Sequence, residues 1–305
     1  MIINQATIRE TFQSFNTVFN KAFQEMQPQY SRVAMEVPSE TRDETYAWLG
    51  SVPSMREWIG DRQVKNLASY GYTIQNRDFE LTVSVPRNDI EDDRIGVFKP
   101  MFQDLAYSAG RHPDKLVFGL FPKAFTEKCF DGKPFISDGH TPGYEGKKVA
   151  AQSNKGTYKL TPDTYGAART QMMTLLSDEG EVLNIVPDLL VVAPQKEAIA
   201  RTIVMADEIH QEVNIYKGTA DLLVAPELSA NPEQWFLLCT KRPVKPFIFQ
   251  NRRKPQLVAK DSPNDDNVFW QKEFVYGVDM RCNAGYGLWQ LAFGSTGEAD
   301  APTNS

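Results

Sequence analysis

The sequence predicts a mixed α/β protein, built as one large domain or two modest ones. Three observations carry this. Amphipathic runs of helical period occupy much of the first half; in the first of them Ile8, Phe12, Phe15, Phe19 and Phe23 recur at spacings of four and three. Short apolar runs bounded by prolines or small polar residues, such as "PDLLVVAP" and "WFLLCT", alternate with helical patterns in the second half. The chain has 305 residues, 41% hydrophobic and 24% charged, which is ordinary for a globular protein able to bury a sizeable core.

The elements follow in order. "ATIRETFQSFNTVFNKAF" forms a helix that Thr7 and Glu10 open as a capping box, with Pro28 beyond its end. Its aromatic stripe either covers the chain's own core or docks on a neighbouring chain. From Thr45 to Val85 two strands flank an irregular excursion. The first is "TYAWLG"; the second is "FELTVSV", with Phe79, Leu81, Val83 and Val85 on one face. Gly50, Pro53, Gly60 and Gly71 punctuate the excursion, and Trp48 and Trp58 belong to it. A connection of that length implies either a mobile arm that wraps a partner or a small packed subdomain.

"NDIEDD" then leads into the longest helical signal, with Pro100 in its first turn. Phe98, Phe102, Leu105 and Ala109 make one stripe, resumed by Leu116, Val117, Leu120 and Phe121; Pro113 between them predicts a kink or a division. Gly143 to Tyr158 reads as a polar loop. Thr161-Pro162 caps a helix that turns Tyr165, Ala168, Met172, Leu175 and Leu176 inward. "PDLLVVAP", "ADLLVAPEL" and "WFLLCT" are strands, and "QKEAIARTIVMA" is a helix between the first two. "FVYGVDMRCNAGYGLWQLAFG" is strand-rich, with "GYG" permitting close packing, and "STGEADAPTNS" frays.

The formal net charge of −6 argues against the whole molecule being a nucleic-acid binder, although a local basic face is compatible with it. Three dispersed cysteines, Cys129, Cys239 and Cys282, fit a reducing compartment better than a disulfide scaffold. No basic and apolar leader opens the chain, and no window approaches a membrane span, so the expectation is a soluble cytosolic protein without a membrane partner.

Motifs for chemistry are sparse. "CFDGKPFISDGH" could nominally offer Cys129, Asp138 and His140 to a metal, but the spacing matches no standard ligand pattern. Asp131-Gly132 and Asp138-Gly139 are strong turn formers, so the segment is expected to be a pair of turns at the surface. No nucleophile elbow, phosphate loop or dinucleotide fingerprint is present. The expectation is no enzyme, no cofactor and no metal; a metal-dependent hydrolase using the Cys129–His140 loop is the alternative. "KRPVKPFIFQNRRKP" (Lys241–Pro255) carries six cations in fifteen residues, interleaved with Phe247 and Phe249. It could contact phosphate, or pair with acidic neighbours such as "DSPNDDN". A DNA-binding accessory protein using Lys241 to Lys254 is the third class of function considered.

Several segments together resemble the major head subunit of Mu-like phages and prophages. They are "TYAWLGSVPSMREWIGDR", "RDFELTVSVPRNDIEDDRIGVFKPMFQDLAYSAGRHPDKLVF", "CFDGKPFISDGH", "KPFIFQNRRKPQLVAK" and "GVDMRCNAGYGLWQLAFG". The resemblance implies an α+β fold of the Hong Kong 97 capsid type. Its parts map onto an N-terminal arm at 1–37, an extended loop with flanking strands at 38–90 and a peripheral domain with a spine helix at 91–160. An axial domain at 161–233, closing peripheral strands at 234–294 and a flexible tail at 295–305 complete it. By resemblance the chain assembles with itself into hexamers and pentamers of an icosahedral head around double-stranded DNA, held without sequence specificity. Scaffold, protease and portal would be separate chains, no scaffolding segment precedes the arm, and assembly would occur in the bacterial cytoplasm. Candidate intersubunit contacts are Phe12, Phe15 and Phe19 on the arm, Trp48, Trp58 and Arg62 on the loop, and Arg252, Arg253 and Lys254 in the basic cluster. Lys65 and Asn66 are of the types that crosslink some capsids of this fold, but that chemistry is not carried over.

Overall fold

The computed structural model describes residues 5–46, 49, 71–92, 94–141, 150–177, 180–209 and 211–300. In chain order α1 (Gln5–Glu25) precedes three short strands, β1 (Ala34–Pro38), β2 (Asp43–Tyr46) and β3 (Tyr72–Gln75), and the longer β4 (Arg77–Pro86). Three helices follow: α2 (Arg87–Glu91), α3 (Lys99–Phe118) and α4 (Leu120–Lys123). The next stretch alternates β5 (Lys155–Tyr158), α5 (Pro162–Met173), β6 (Leu189–Val192) and α6 (Glu197–Met205). A small hairpin of β7 (Glu208–Ile209) and β8 (Glu212–Val213) leads to β9 (Asp221–Val224) and β10 (Trp235–Leu238). The chain closes with β11 (Phe247–Lys260), α7 (Asp266–Gln271), β12 (Glu273–Tyr286) and β13 (Ala292–Ala299).

Two sheets organise these elements. One has the order β1-β11-β12-β4, and the other β5-β13-β10-β6-β9. The long antiparallel ladder of β11 and β12 is the backbone of the first sheet, and its register shifts between Asn251, Arg253 and Gln256. Pro255 lies in that interval and has no N–H to give the ladder, which accounts for a bulge there. α1 and α3 cover the four-stranded sheet, burying Phe15, Phe19, Phe102, Leu105, Val85 and Tyr276 together. The five-stranded sheet is apolar on both faces of β6 and β10, as central strands covered on both sides must be. Its core continues through Phe118, Phe121 and Phe135 to the first sheet's Phe247 and Phe249, so the two units share packing. Arg111 on α3 also reaches Glu227 beyond β9 at 2.6 Å.

Several expectations change. α1 begins at Gln5, so Thr7 is inside the helix rather than at its cap. Of the kink or division expected at Pro113, division does not occur: α3 continues through it and ends before Gly119. Tertiary contacts hold it: Pro113 is buried, and Asp114 Oδ1 accepts the Tyr30 N–H at 2.6 Å one residue on. The excursion after Tyr46 is closed by β3 and not by the "FELTVSV" strand, because β2 pairs with β3 while β4 pairs with β12. The loop expected over Gly143 to Tyr158 ends in β5, which joins the edge of the five-stranded sheet beside β13.

The sheets also redraw the expected division of the second half. β10 pairs with β6 and β13, so Trp235–Leu238 and Ala292–Ala299 belong with the 161–233 lobe rather than with the closing strands of the other sheet. The tail expected from residue 295 is strand as far as Ala299, with Ser295 buried. Gly297 sits at φ +69°, and a Cβ there would come 2.0 Å from the Glu233 carbonyl oxygen, so this turn of chain is pressed against the loop before β10. Gly287 behaves as "GYG" predicts: a Cβ there would lie 2.7 Å from the Lys245 carbonyl oxygen.

Candidate assembly surfaces and the Cys129–His140 loop

The aromatic stripe of α1 points inward. Phe15 stacks on Phe102 at 4.0 Å between centroids and meets Tyr276 edge-on at 5.3 Å, while Phe19 stacks on Phe23 at 6.1 Å. Phe15 is 0% exposed, and Phe19 is as deeply buried. Both are therefore packed in the chain's own core, not at the surface where the expectation of an intersubunit contact would have them. Phe12 is half-buried at the margin of the same cluster. Trp48, Trp58 and Arg62, like Lys65 and Asn66, lie outside the described residues.

The basic run divides by function. Arg242 donates to the carbonyls of Leu183 and Asn184, and Lys245 donates to that of Ser31, so both tie loops together. Arg252, Arg253 and Lys254 are exposed at the β11 bulge. Arg253 pairs with Asp279 across the ladder, and Arg252 Nη1 donates to the Ser39 carbonyl at 3.3 Å. The acidic "DSPNDDN" run supplies none of these partners among the described residues; the strand register brings Asp279 instead. Lys254 has no ion partner among the described residues.

The turn reading of "CFDGKPFISDGH" holds for the backbone but not for its place at the surface. Gly132 N donates to Cys129 O at 3.0 Å and Cys129 N to Lys133 O at 2.8 Å, which closes a tight turn. The segment then enters the core, burying Phe135 and Ile136. His140 is held by a two-way backbone bridge to Gln152, and its ring stacks on Trp289 at 4.0 Å with planes 4° apart. Asp131, not Asp138, meets the other two polar groups: its Oδ2 lies 2.6 Å from His140 Nδ1, and its Oδ1 accepts the Cys129 thiol at 3.1 Å and the Lys133 N–H at 3.0 Å. Asp138 is exposed. Burial opposes ionisation of Asp131, but its bond to His140 and the Lys133 amide together hold the carboxyl below its ordinary range. Burial, followed by the Asp131 charge, pushes the Cys129 thiol up, so this cysteine is not a ready nucleophile. Asn154 braces the loop from below. Its Oδ1 accepts Ser137 N–H at 2.8 Å, and its Nδ2 donates to Phe135 O at 2.9 Å and Ala292 O at 3.0 Å.

Sequence reasoning missed α7. This short helix joins β11 to β12 and holds Phe269 and Trp270 at 73% and 78% exposure, edge to face at 4.8 Å. Its signal was readable: "VFW" follows directly on the acidic run "NDDN". A second exposed apolar pair, Val213 and Ile215, marks β8 and the residues after it.

The profile of the Mu-like prophage major head subunit gpT family matches residues 8–159, 143–228 and 227–304. The major capsid protein of Escherichia phage Mu is 32% identical over 298 residues, which are 98% of this chain and 76% of that protein. A subunit solved in the procapsid of bacteriophage JBD30 superposes with a TM-score of 0.64 at 31% identity, covering 99% of this chain and 77% of the other. A subunit of the virus-like particle of Pyrococcus furiosus shares the fold alone, with a TM-score of 0.52 at 10% identity over 94% of this chain and 99% of that one. Two sheets linked by a long helix are the Hong Kong 97-type capsid fold, and the chain belongs to the Mu-like prophage major head subunit family.

Proposed function

We propose that the chain assembles into hexamers and pentamers of an icosahedral head that encloses double-stranded DNA, with scaffold, protease and portal supplied by other chains and assembly in the host cytoplasm. The observation that carries this is the superposition over 99% of the chain on a procapsid subunit at 31% identity. The four-stranded sheet with α1 and α3 is the peripheral unit in this reading. The five-stranded sheet, now including β5, β10 and β13, is the axial unit.

Each unit presents an exposed apolar pair, Phe269 with Trp270 on one and Val213 with Ile215 on the other. An exposed aromatic pair on a short helix is costly in water unless a partner covers it, and burying each ring is worth on the order of 1.5–3 kcal/mol. Phe12, Trp48, Trp58, Arg62, Arg252, Arg253 and Lys254 remain proposed intersubunit contacts. Arg252, Arg253 and Lys254 offer cations beside β12, for an acidic face of a neighbour or for packaged DNA.

The test is to express the chain alone and with its scaffold partner, and to examine it by negative-stain electron microscopy and sedimentation velocity. Shells, tubes or capsomers support the proposal. A strictly monomeric chain under both conditions overturns it.

A further inference from the structure

We propose that Cys129, Asp131 and His140 form a structural site for a borderline-soft divalent cation of the zinc class. One donor atom from each lies within 4.8 Å of the other two. The donor set is one sulfur, one carboxylate oxygen and one imidazole nitrogen. Magnesium and calcium prefer all-oxygen shells, whereas zinc takes this mixture.

The geometry is close to what such an ion needs. Tetrahedral zinc with bonds of about 2.0–2.3 Å holds its ligand atoms roughly 3.3–3.7 Å apart. The Sγ–Oδ1 pair is at 3.1 Å and the Nδ1–Oδ2 pair at 2.6 Å, on the two oxygens of one carboxylate, so entry of the ion opens these hydrogen-bonded pairs while one oxygen of Asp131, the sulfur and the nitrogen, already within 4.8 Å of one another, close around it. The donors are held by backbone: the Cys129–Lys133 turn fixes two of them, and the bridge to Gln152 with the Trp289 stack fixes the third. Nδ1 is the imidazole nitrogen that faces the cluster, at hydrogen-bond distance from Asp131 Oδ2.

Charge favours occupation. In the metal-free loop the carboxylate is the one anion among three largely buried groups, because the thiol and the imidazole each donate a proton to it. On binding, the Cys129 S–H bond breaks and its proton leaves to solvent while sulfur bonds the metal. Nδ1 gives up its proton and bonds the metal, leaving a neutral imidazole whose one N–H is on Nε2. The cation, thiolate, carboxylate and neutral imidazole then sum to zero, which is the condition for keeping an ion in a buried place. His140 Nε2, fully buried, has no hydrogen-bond partner among the described residues. Nδ1 is thus the imidazole's one hydrogen-bonded nitrogen among the described residues, and the metal bond has to offset the cost of an Nε2–H without an acceptor there. Asp131 keeps an 11% exposed side chain, through which a water can complete the fourth position.

The proposed role is to brace the segment between α4 and β5, not to catalyse. It does not depend on the assembly reading, since binding is read on the folded chain in any assembly state. The test uses the full-length chain, stripped with a chelator and then titrated with cobalt(II) and with zinc. The expected results are one metal per chain by mass spectrometry and a thiolate-to-cobalt charge-transfer band in the near ultraviolet. The band is lost in Cys129→Ser and kept in Cys239→Ser. Asp131→Asn lowers zinc affinity at least about tenfold, as even loss of an outer-shell partner can do. Because His140 also supports Trp289, Cys129→Ser and Asp131→Asn carry the test, with circular dichroism to establish that each is folded. A folded wild-type chain with no charge-transfer band and no zinc-dependent rise in melting temperature overturns the proposal. So does a band unchanged in folded Cys129→Ser.

Discussion

Replacing Phe15 with alanine tests whether α1 belongs to its own subunit. Phe15 is fully buried, stacks on Phe102 at 4.0 Å and meets Tyr276 at 5.3 Å, while Phe102 and Tyr276 meet each other at 5.4 Å. The three rings thus form a closed aromatic cluster joining α1, α3 and β12. Truncating a buried phenylalanine costs about 3–5 kcal/mol, made up of transfer and cavity terms. Two ring contacts of about 0.5–1.5 kcal/mol each place this site in the upper half of that range, at about 4–5 kcal/mol. Phe12, half-buried at the rim, should lose only about 1–2 kcal/mol on the same change. The assay is urea unfolding of the unassembled subunit, followed by fluorescence and circular dichroism. With a slope of about 3 kcal/mol per M, Phe15→Ala should lower the midpoint by roughly 1.5 M and Phe12→Ala by roughly 0.5 M. If Phe15→Ala shifted the midpoint by less than about 0.3 M and yet abolished assembly, the docking of α1 on its own α3 and β12 would be refuted, and the helix would have to bind a neighbour.

Three further outcomes are expected. Phe269→Ala with Trp270→Ala should leave the midpoint of the isolated subunit nearly unchanged but raise the concentration needed for assembly roughly a hundredfold or more, read by light scattering, since each ring contributes about 1.5–3 kcal/mol when covered. Asn154→Ala should cost about 2–4 kcal/mol in thermal unfolding, because the Ser137 N–H and the carbonyls of Phe135 and Ala292 lose their partner; Asn154→Asp, which accepts but cannot donate, should not restore it. Burial, followed by the Lys115 charge, holds the His112 imidazole below its ordinary range. The unfolded chain therefore binds a proton that the folded chain resists, so stability is full above about pH 6.5 and declines as pH falls below it; His112→Gln should flatten that decline in urea midpoints measured across pH 5 to 7.

What the sequence by itself determined were the features set by local periodicity and turn chemistry. The 3.6-residue stripe of α1, the Thr161-Pro162 cap of α5 and the apolar runs of β6 and β10 were legible because each carries its signal within a dozen residues. The family was legible too, because whole segments such as "KPFIFQNRRKPQLVAK" are distinctive as text. Tertiary structure alone decided what those segments touch. Whether the α1 stripe faces a neighbour or its own α3 is a question of surface complementarity, which periodicity does not encode. That α3 survives Pro113 depends on the packing around it and on the Tyr30 N–H that Asp114 receives. The sequence places β10 and the start of β13 with the closing strands of the other sheet and the rest of β13 in a tail, because strand partners are chosen by long-range pairing and a strand's residues look the same in either sheet. In the Cys129–His140 loop the residue types are visible and Asp138 is the nominal carboxylate, but only the turn closed by Gly132 brings Asp131 to Cys129 and His140. Side-chain direction in a turn is set by backbone geometry and the core it packs on, and one sequence does not contain that information.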